Sequence, residues 1–434
     1  MKKKMSSLCI LFFIYINLHT QVLDLQKQAS IIDEITNDRI EHLLPTQMKQ
    51  HNIDCWIVTS REYNEDPIIK TLLPATAFAA RRRTIMVFYF NPKTNVYKKY
   101  VIARYKVGEC FTPRWDMEKF PNQWDALKDC IDSLKPNKIA VNFSTDFAHA
   151  DGLHFSEYAA LVNKFGKENI ISAEPLAVAW LETRTKKEME IYPTLINITH
   201  QIIKQGFSRK VITPGVTTAE DLEWWFRQKL ADLKLHTWFH PSINIQRKEN
   251  KDFDHLKAFT GFDNKSNVIQ AGDLLHVDFG ISYLRLNTDV QEHAYILKPN
   301  ETEAPIELQE AFKKANQLQD ILTNEFKEGK TGNEILQAAL EKSKEQQLKA
   351  TIYTHPIGYH GHAAGPTIGM WDNQGKTIGS GDYTMHLNTA YSIELNNAFF
   401  IKAWNKEIKI MLEQDGFFDE TGLRYIQQRQ IKFK

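Results

Sequence analysis

Two aspartates in apolar, strand-like surroundings are the first residues whose types and spacing could support chemistry. Asp278 lies within the run LLHVDFG at 274–280, and Asp289 follows eleven positions later, across a segment short enough to form a β-hairpin. An ionised carboxylate is costly to bury unless it is paired or bound to a metal ion. Two of them on neighbouring strands suggest a shared cation. Taken alone, however, they are better explained as one hydrogen-bonded core aspartate and one turn aspartate.

A histidine-rich segment offers nitrogen donors downstream. His355, His360 and His362 fall within eight residues of the stretch THPIGYHGHAAGP at 354–366, whose glycines allow close backbone approach. A histidine-rich surface loop is the alternative interpretation. Together with carboxylates, such donors could hold two divalent ions about 3.5–4 Å apart, an arrangement that activates water and polarises a carbonyl group.

Two glutamates complete the candidate donor set. Glu394 lies inside the apolar run AYSIELN, which is the same anomaly as that of Asp278. Glu407 lies in KEIKIML, where strand alternation places it on one face with Lys409. A solvated glutamate is therefore a serious alternative at Glu407.

The elements that must position these residues suggest an α+β chain of two domains. Residues 28–178 alternate between strand patterns and helix patterns, and a boundary falls near 174–185. The predicted strands of this first part are 54–59, 84–90, 97–105 and 138–142, and its predicted helices are 40–51, 124–134 and 155–165. The second part has predicted helices at 187–203, 218–233, 306–326 and 332–348, a strand-like stretch at 237–245, and a strand-rich final hundred residues.

Composition excludes several classes of function. At 434 residues the chain is long for one hydrophobic core, so two domains are expected. A formal net charge of +1 gives no electrostatic basis for binding nucleic acid or an acidic membrane. The cysteines form no CxxC pair and no Cys/His spacing typical of a structural zinc site.

The N-terminus has the organisation of an export signal. Three lysines at 2–4 precede the apolar run at 8–16, which is too short for a membrane span. This pattern predicts a signal peptide over 1–21, with cleavage near Thr20 and Gln21, and a secreted or periplasmic protein. An uncleaved N-terminal anchor is the alternative. No other stretch of the sequence is long and apolar enough to span a bilayer.

The ordered donor set resembles that of the pita-bread metallopeptidases, which include methionine aminopeptidase, Xaa-Pro aminopeptidase and prolidase, with metal-free creatinase as a relative. That family presents Asp, Asp eleven residues on, His, Glu and Glu. A second His seven residues after the first matches His362, and a Gly nine residues after the last Glu matches Gly416. The five ligand positions are filled here by Asp278, Asp289, His355, Glu394 and Glu407.

The resemblance implies a fold as well as a site. Residues 183–434 would form the pita-bread catalytic domain, and 28–178 a smaller α/β domain like that of creatinase. The chain also departs from the family pattern, with Pro356 after the first His, Ala363 after the second, and Gln291 and Glu292 in place of the usual residues after Asp289. These positions surround the ligands or face the substrate, so the departures bear on specificity.

By resemblance, each donor has a role at the metal ions. Asp289 and Glu407 would bridge two divalent ions, Asp278 would bind one of them, and His355 with Glu394 the other. Oxygen-rich ligation favours Mn²⁺, with Co²⁺ or Zn²⁺ as alternatives. Dimers are common among proteins of this kind, so a homodimer is an expectation.

The resemblance also implies catalytic roles. A hydroxide bridging the two ions would attack the scissile carbonyl, with Glu394 or Glu407 as proton shuttle. His362 would hydrogen-bond the substrate or the oxyanion. His255 is the nearest equivalent of an upstream substrate-contacting histidine, with His240 as its competitor. A core histidine satisfied by hydrogen bonds is the better interpretation of His276.

The expected function is that of the Xaa-Pro aminopeptidase branch, an exported metallo-aminopeptidase cleaving before a proline in second position. The large N-terminal domain and the export signal argue against trimming of nascent chains. The alternatives are a prolidase-type dipeptidase, a metal-independent creatinase-like C–N hydrolase, and a non-catalytic pita-bread binding module. The last two predict lost ligands, whereas all five positions are filled.

Overall fold

The computed structural model describes residues 22–249 and 267–434. The predicted signal peptide at 1–21 lies outside these residues, as does His255. Among the described helices, none has the length and apolar character needed to cross a membrane.

A six-stranded mixed sheet organises the N-terminal part. Its strand order is β4-β3-β2-β1-β5-β6, with β1 antiparallel to β2 and parallel to β5. The strands predicted at 54–59, 84–90, 97–105 and 138–142 are confirmed. The strands are β1 (Cys55–Arg61), β2 (Arg83–Asn91), β3 (Val96–Ile102), β4 (Thr112–Pro113), β5 (Ile139–Val141) and β6 (Ile170–Ser172).

Helices cover both faces of this sheet, which buries two separate apolar clusters. One contains Trp56 and Phe88, and the other contains Ile57 and Val87, their neighbours on the opposite face. This alternation follows from the two-residue period of a strand. The helices are α1 (Leu25–Asp38), α2 (Leu44–Gln50), α3 (Ile69–Leu72), α4 (Gln123–Leu134), α5 (Phe155–Phe165) and α6 (Glu174–Glu182), with a π-helical turn at Arg39–Leu43 between the first two.

An eight-stranded sheet organises the C-terminal part. Its main path is β12-β14-β15-β11-β8-β7, with β13 paired to β14 and β16 to β15. A separate two-stranded ribbon pairs β9 with β10. The strands are β7 (Ser242–Gln246), β8 (Leu274–Phe279), β9 (Ser282–Tyr283), β10 (Leu286–Asn287), β11 (Val290–Tyr295), β12 (Lys349–Ile352), β13 (His355–Pro356), β14 (Thr389–Ile401), β15 (Lys406–Asp419) and β16 (Gly422–Tyr425).

Four helices pack on the apolar face of this sheet in two pairs. The first pair, at 186–206 and 219–232, packs with β8 through Leu275, Val277 and Phe279. The second pair packs with β14 and β15 through such residues as Ile393 and Leu412. Side chains at alternate positions of the same strands therefore point away from the helices. The helices are α7 (Lys186–Gly206), α8 (Ala219–Asp232), α9 (Ile306–Thr323) and α10 (Gly332–Glu345). The two sheets and their helices confirm the predicted α+β class.

Local capping explains where α7 begins. Thr185 accepts a hydrogen bond from the backbone N–H of Glu188, and the Glu188 side chain accepts one from the backbone N–H of Thr185. This reciprocal capping box satisfies donors that a helix start leaves open. Pro193 lies inside α7, although proline is disfavoured there because it lacks the N–H of the helical ladder. The predicted domain boundary at 178–183 coincides with the end of α6 and stays a prediction.

A buried ion network joins the two parts of the chain. The Glu188 carboxylate accepts from Arg39 at 2.6 Å and from Arg184 at 2.7 Å, with all three side chains fully buried. Tyr359 lies 5.1 Å from the Arg39 guanidinium and 5.0 Å from that of Arg184. Arg39 also donates to the carbonyl oxygens of Thr183 and Trp180, which anchors the N-terminal helices to the segment between α6 and α7.

We expect Glu188→Gln to destabilise the protein by about 3–5 kcal/mol, because two buried guanidinium groups lose the carboxylate that pairs with both. Urea unfolding would measure the loss, and Glu190→Gln on the exposed side of α7 should change stability by less than about 0.5 kcal/mol. Burial opposes ionisation of Glu188, but Arg184 and Arg39 lower its pKa overall. Its stabilising contribution should therefore be present at neutral pH and be lost as the pH falls through that lowered pKa. Equal stability of the two variants would contradict this role.

Candidate metal centre

The predicted aspartates lie on one short hairpin, as their spacing indicated. Asp278 is near the end of β8, and Asp289 directly precedes β11. These strands pair antiparallel, with Gln291 opposite Asp278. The intervening ribbon turns at Leu284 and Arg285, both of which have positive φ. The hairpin brings both carboxylates to the sheet face that points away from the helices.

His355 and Glu394 reach the same place from the other side of the sheet. His355 lies on β13, where it pairs with Ser392 of β14, and Glu394 follows two residues later on that strand. Glu394 is directly opposite Glu413 of β15. Because residues two apart on a strand share a face, Ser392 and Glu394 project together.

The donors form overlapping groups whose ligand atoms lie within 4.8 Å of one another in each group. One group joins Asp278, Asp289 and Glu413, and a second joins His355, Glu394 and Glu413. A third joins Asp289 and His355 with His362 of the histidine-rich loop. Glu413 takes part in the first two groups, which is the position expected of a bridging carboxylate.

The prediction that Glu407 is the fifth ligand is wrong, because Glu407 lies far from the other four residues. Glu407 lies opposite Phe400 on the β14–β15 ladder, six residues from the Glu394–Glu413 pair, or about 20 Å along the strand. Its side chain is 39% exposed and forms an ion pair with Lys349. Glu413, which is only 1% exposed to solvent, occupies the place assigned to Glu407.

The hydrogen bonding of His355 leaves a lone pair directed at the carboxylates. Its Nδ1 lies 3.0 Å from the carbonyl oxygen of Pro356, which can only accept, so Nδ1 carries the proton. Burial lowers the pKa of His355 to about 3, which keeps the ring neutral. Its unprotonated Nε2 lies 3.8 Å from oxygens of both Asp289 and Glu413 and has no hydrogen-bond partner. A lone pair facing carboxylate oxygens is unfavourable unless a cation lies between them.

The carboxylates of the cluster also indicate a site for cations. Burial first, and mutual repulsion second, raise the pKa values of Asp278, Asp289 and Glu394 well above their ordinary range. Burial also raises the pKa of Glu413 to about 7. Oδ1 of Asp278 and Oδ1 of Asp289 are buried without a hydrogen-bond partner. Divalent cations would supply the missing partners and compensate the charge, so the residues present fit such ions.

A neutral amide lies between the two glutamates. Gln291 donates through Nε2 to Glu394 Oε1 and to Glu413 Oε2, at 2.8 Å in each case. Ser392 donates to the other oxygen of Glu413 at 2.6 Å. Gln291 belongs to the segment after Asp289 in which the sequence departs from the family pattern, and here it contacts two of the candidate ligands.

Sequence reasoning missed Glu413 although a signal was present. Glu413 directly follows the apolar run at 410–412, and the structure buries all of 410–418. Glu407 has Lys406 and Lys409 beside it instead. Applying one criterion to all the glutamates would have favoured Glu413.

His362 lies at the exposed mouth of the donor cluster. Its ring centroid is 4.7 Å from that of His355 and 5.1 Å from that of Trp238. His362 and Trp238 border a cavity of about 430 Å³. His149 of the N-terminal part lies 4.2 Å from His360, ring centroid to ring centroid, on the same cavity wall. Both parts of the chain therefore line the approach to the donors.

The remaining histidines have other surroundings. His276 is buried and hydrogen-bonds Asn244 and Gln291, which confirms the interpretation of a satisfied core histidine. His293 is buried between Leu275 and the backbone of β15. His240 contacts Trp224 and Arg227 of α8 rather than the donor cluster.

Residues 194–416, just over half of the chain, match metallopeptidase family M24. No curated protein sequence gave a significant match. Among solved structures, the X-Pro aminopeptidase of Thermotoga maritima MSB8 superposes with a TM-score of 0.62 at 17% identity, over 91% of this chain and 99% of that one.

Dipeptidases of the same fold also match. The Xaa-Pro dipeptidase of Bacillus anthracis gives a TM-score of 0.57 at 16% identity, over 95% of this chain and 100% of that one. The prolidase of Pyrococcus horikoshii OT3 gives 0.53 at 14% identity, over 93% and 99%. These identities are low, so the likeness establishes a shared fold that extends over both parts of the chain.

In the absence of cations, we expect stability to fall as the pH rises from 5 to 8. The raised pKa values mean that the folded protein binds more protons than the unfolded chain, so stability is fully present below about pH 4 and is lost as Glu413 and its neighbours ionise, near pH 7 for Glu413. Melting temperatures in chelator would measure the fall, and excess Mn²⁺ should suppress it. Glu413→Gln should also reduce it, whereas identical pH profiles with and without cation would count against the site.

Proposed function

The chain belongs to metallopeptidase family M24, and on this premise we propose that it is a metallo-aminopeptidase that hydrolyses the peptide bond before a proline in second position. The observation that carries the proposal is the convergence of buried carboxylates on an unprotonated, unpartnered imidazole nitrogen. Fold likeness to an X-Pro aminopeptidase supports the choice of branch.

Two divalent ions would be held by five residues. Asp278 would bind the first ion and His355 with Glu394 the second, while Asp289 and Glu413 lie close enough to both groups to bridge them. Oxygen-rich ligation favours Mn²⁺ over Co²⁺ or Zn²⁺. When bound, such ions polarise a carbonyl group and make a water molecule more acidic.

Side chains of this protein would accept the proton of the attacking water and hydrogen-bond the substrate. Gln291 holds Oε1 of Glu394, so we assign the proton of the attacking water to Oε2. His362 is exposed at the mouth of the donor cluster. Partial burial of its ring lowers its pKa, which favours the neutral imidazole. The N–H of that neutral ring would donate a hydrogen bond to the substrate carbonyl. His255 keeps its role as a second substrate contact only as a prediction.

The cavity beside His362 is where the substrate would lie. Trp238 offers an apolar ring next to His362, and such a surface suits a pyrrolidine ring. His149 and His360 also line this cavity, so the N-terminal part of the chain would contact the substrate as well. The signal-like sequence at 1–21 supports action outside the cytoplasm, in the periplasm or after secretion.

Hydrolysis of Xaa-Pro peptides should require a divalent cation. The mature protein, tested with Mn²⁺ or with chelator on peptides of two, three and five residues, should release the N-terminal residue only in the presence of the ion. Cleavage of tripeptides and longer peptides indicates an aminopeptidase, whereas cleavage of dipeptides alone indicates the prolidase alternative. Hydrolysis that persists in chelator would contradict the two-ion proposal and favour creatinase-like chemistry.

The two glutamates of β15 provide a matched pair of substitutions. Glu413→Gln should lower kcat/KM by more than about 100-fold and abolish binding of at least one ion, since loss of an outer-shell partner alone costs 10–100-fold. Glu407→Gln removes the same charge from the same strand. It breaks only an exposed ion pair, however, so activity should stay within about twofold of wild type. Isothermal titration with Mn²⁺ and steady-state kinetics would measure both. The reverse ranking would restore Glu407 as the ligand.

A further inference from the structure

A row of hydrogen bonds crosses five adjacent strands and ends on the glutamates of the metal centre. It begins at Asn244 on β7, continues through His276 on β8 and Gln291 on β11, and ends at Glu413 on β15 and Glu394 on β14. The first three side chains are 7%, 3% and 5% exposed. The sheet register supports the row, since Asn244 lies opposite His276, Gln291 opposite Glu413, and Glu413 opposite Glu394.

The amide of Gln291 fixes the direction of the remaining hydrogen bonds in this row. Its Nε2 donates to both glutamates, so its oxygen faces His276. That oxygen lies 2.9 Å from Nε2 of His276, which must therefore carry a proton. In the neutral ring Nδ1 is then the acceptor, 3.2 Å from the amide nitrogen of Asn244.

On the basis of the proposed function, we propose that Gln291 is a positioning residue that presets both glutamates for cation binding, with His276 and Asn244 fixing the orientation of its amide. Its Nε2 donates to one oxygen of each glutamate, Oε1 of Glu394 and Oε2 of Glu413. The other oxygen of Glu413 accepts from Ser392. The amide donors also offset the repulsion between two carboxylates that face each other across a strand pair.

The substitution Gln291→Met tests this role, because it removes both donors with little change of volume. We expect the Kd for Mn²⁺, measured by isothermal titration, to rise about 10–100-fold, the usual effect of losing an outer-shell partner. The melting temperature in chelator reports any general loss of packing and should change no more than in the control. A merely structural glutamine would lower that temperature without changing the Kd.

Gln414→Met is the matched control. Gln414 is the same residue type and is 2% exposed on the neighbouring position of β15, but it hydrogen-bonds His200 instead of the glutamates. Its Kd for Mn²⁺ should stay within about twofold of wild type. If Gln291→Met does not fold, His276→Phe serves instead, since it releases the amide oxygen of Gln291 and should weaken Mn²⁺ binding in the same direction.

The outcomes separate this inference from the proposed function. If wild type binds Mn²⁺ and the Gln291 and His276 variants bind it equally well, the positioning role is overturned and the proposed function stands. If wild type binds no Mn²⁺, Co²⁺ or Zn²⁺, both are overturned. Selective weakening in Gln291→Met, with Gln414→Met unaffected, supports the inference.

Discussion

Repulsion among buried carboxylates is the constraint on which the rest of this structure depends. Asp278, Asp289, Glu394 and Glu413 face one another in a space where burial and mutual charge raise their pKa values. The unprotonated nitrogen of His355 adds a lone pair to the same space. Such a cluster keeps its negative charge at neutral pH only with compensating positive charge, and it takes up protons without that charge. The proposed cations would supply it, and the amide of Gln291 contributes hydrogen bonds to two of the carboxylates.

The fold separates this costly cluster from the groups that stabilise the protein. On β8, β14 and β15, alternate residues pack under helices α7 to α10, while the intervening residues carry the donors. Apolar burial on one face thereby holds the backbone of the strands that present the ligands on the other. The site needs no rigid loop for its four carboxylates, because three of them lie on ladder strands and the fourth directly precedes one.

The histidine-rich loop is the exception, and it is held by both halves of the chain. Asn287 donates through its side chain to the carbonyl oxygens of Gly358 and Tyr359, and Tyr359 packs between the guanidinium groups of Arg39 and Arg184. A Cβ at Gly358 would lie 2.9 Å from the Arg184 guanidinium carbon, so a larger residue there would displace the Arg184 side chain. The ion network that joins the two parts of the chain thus also supports the loop that carries His360 and His362.

Four of the five candidate donors were predictable from the sequence. Asp278 and Glu394 are carboxylates within apolar runs, and the spacing and order of Asp289 and His355 with them resemble the metallopeptidase family. Glu407 and Glu413 differ by six residues, so the two-residue period of a strand places them on the same face and cannot distinguish them. The pairing of β14 with β15 sets Glu413 opposite Glu394. The sequence marks Gln291 as a departure beside the ligands, but its bonds to both glutamates arise where β8, β11 and β15 lie side by side, and local sequence does not encode that arrangement.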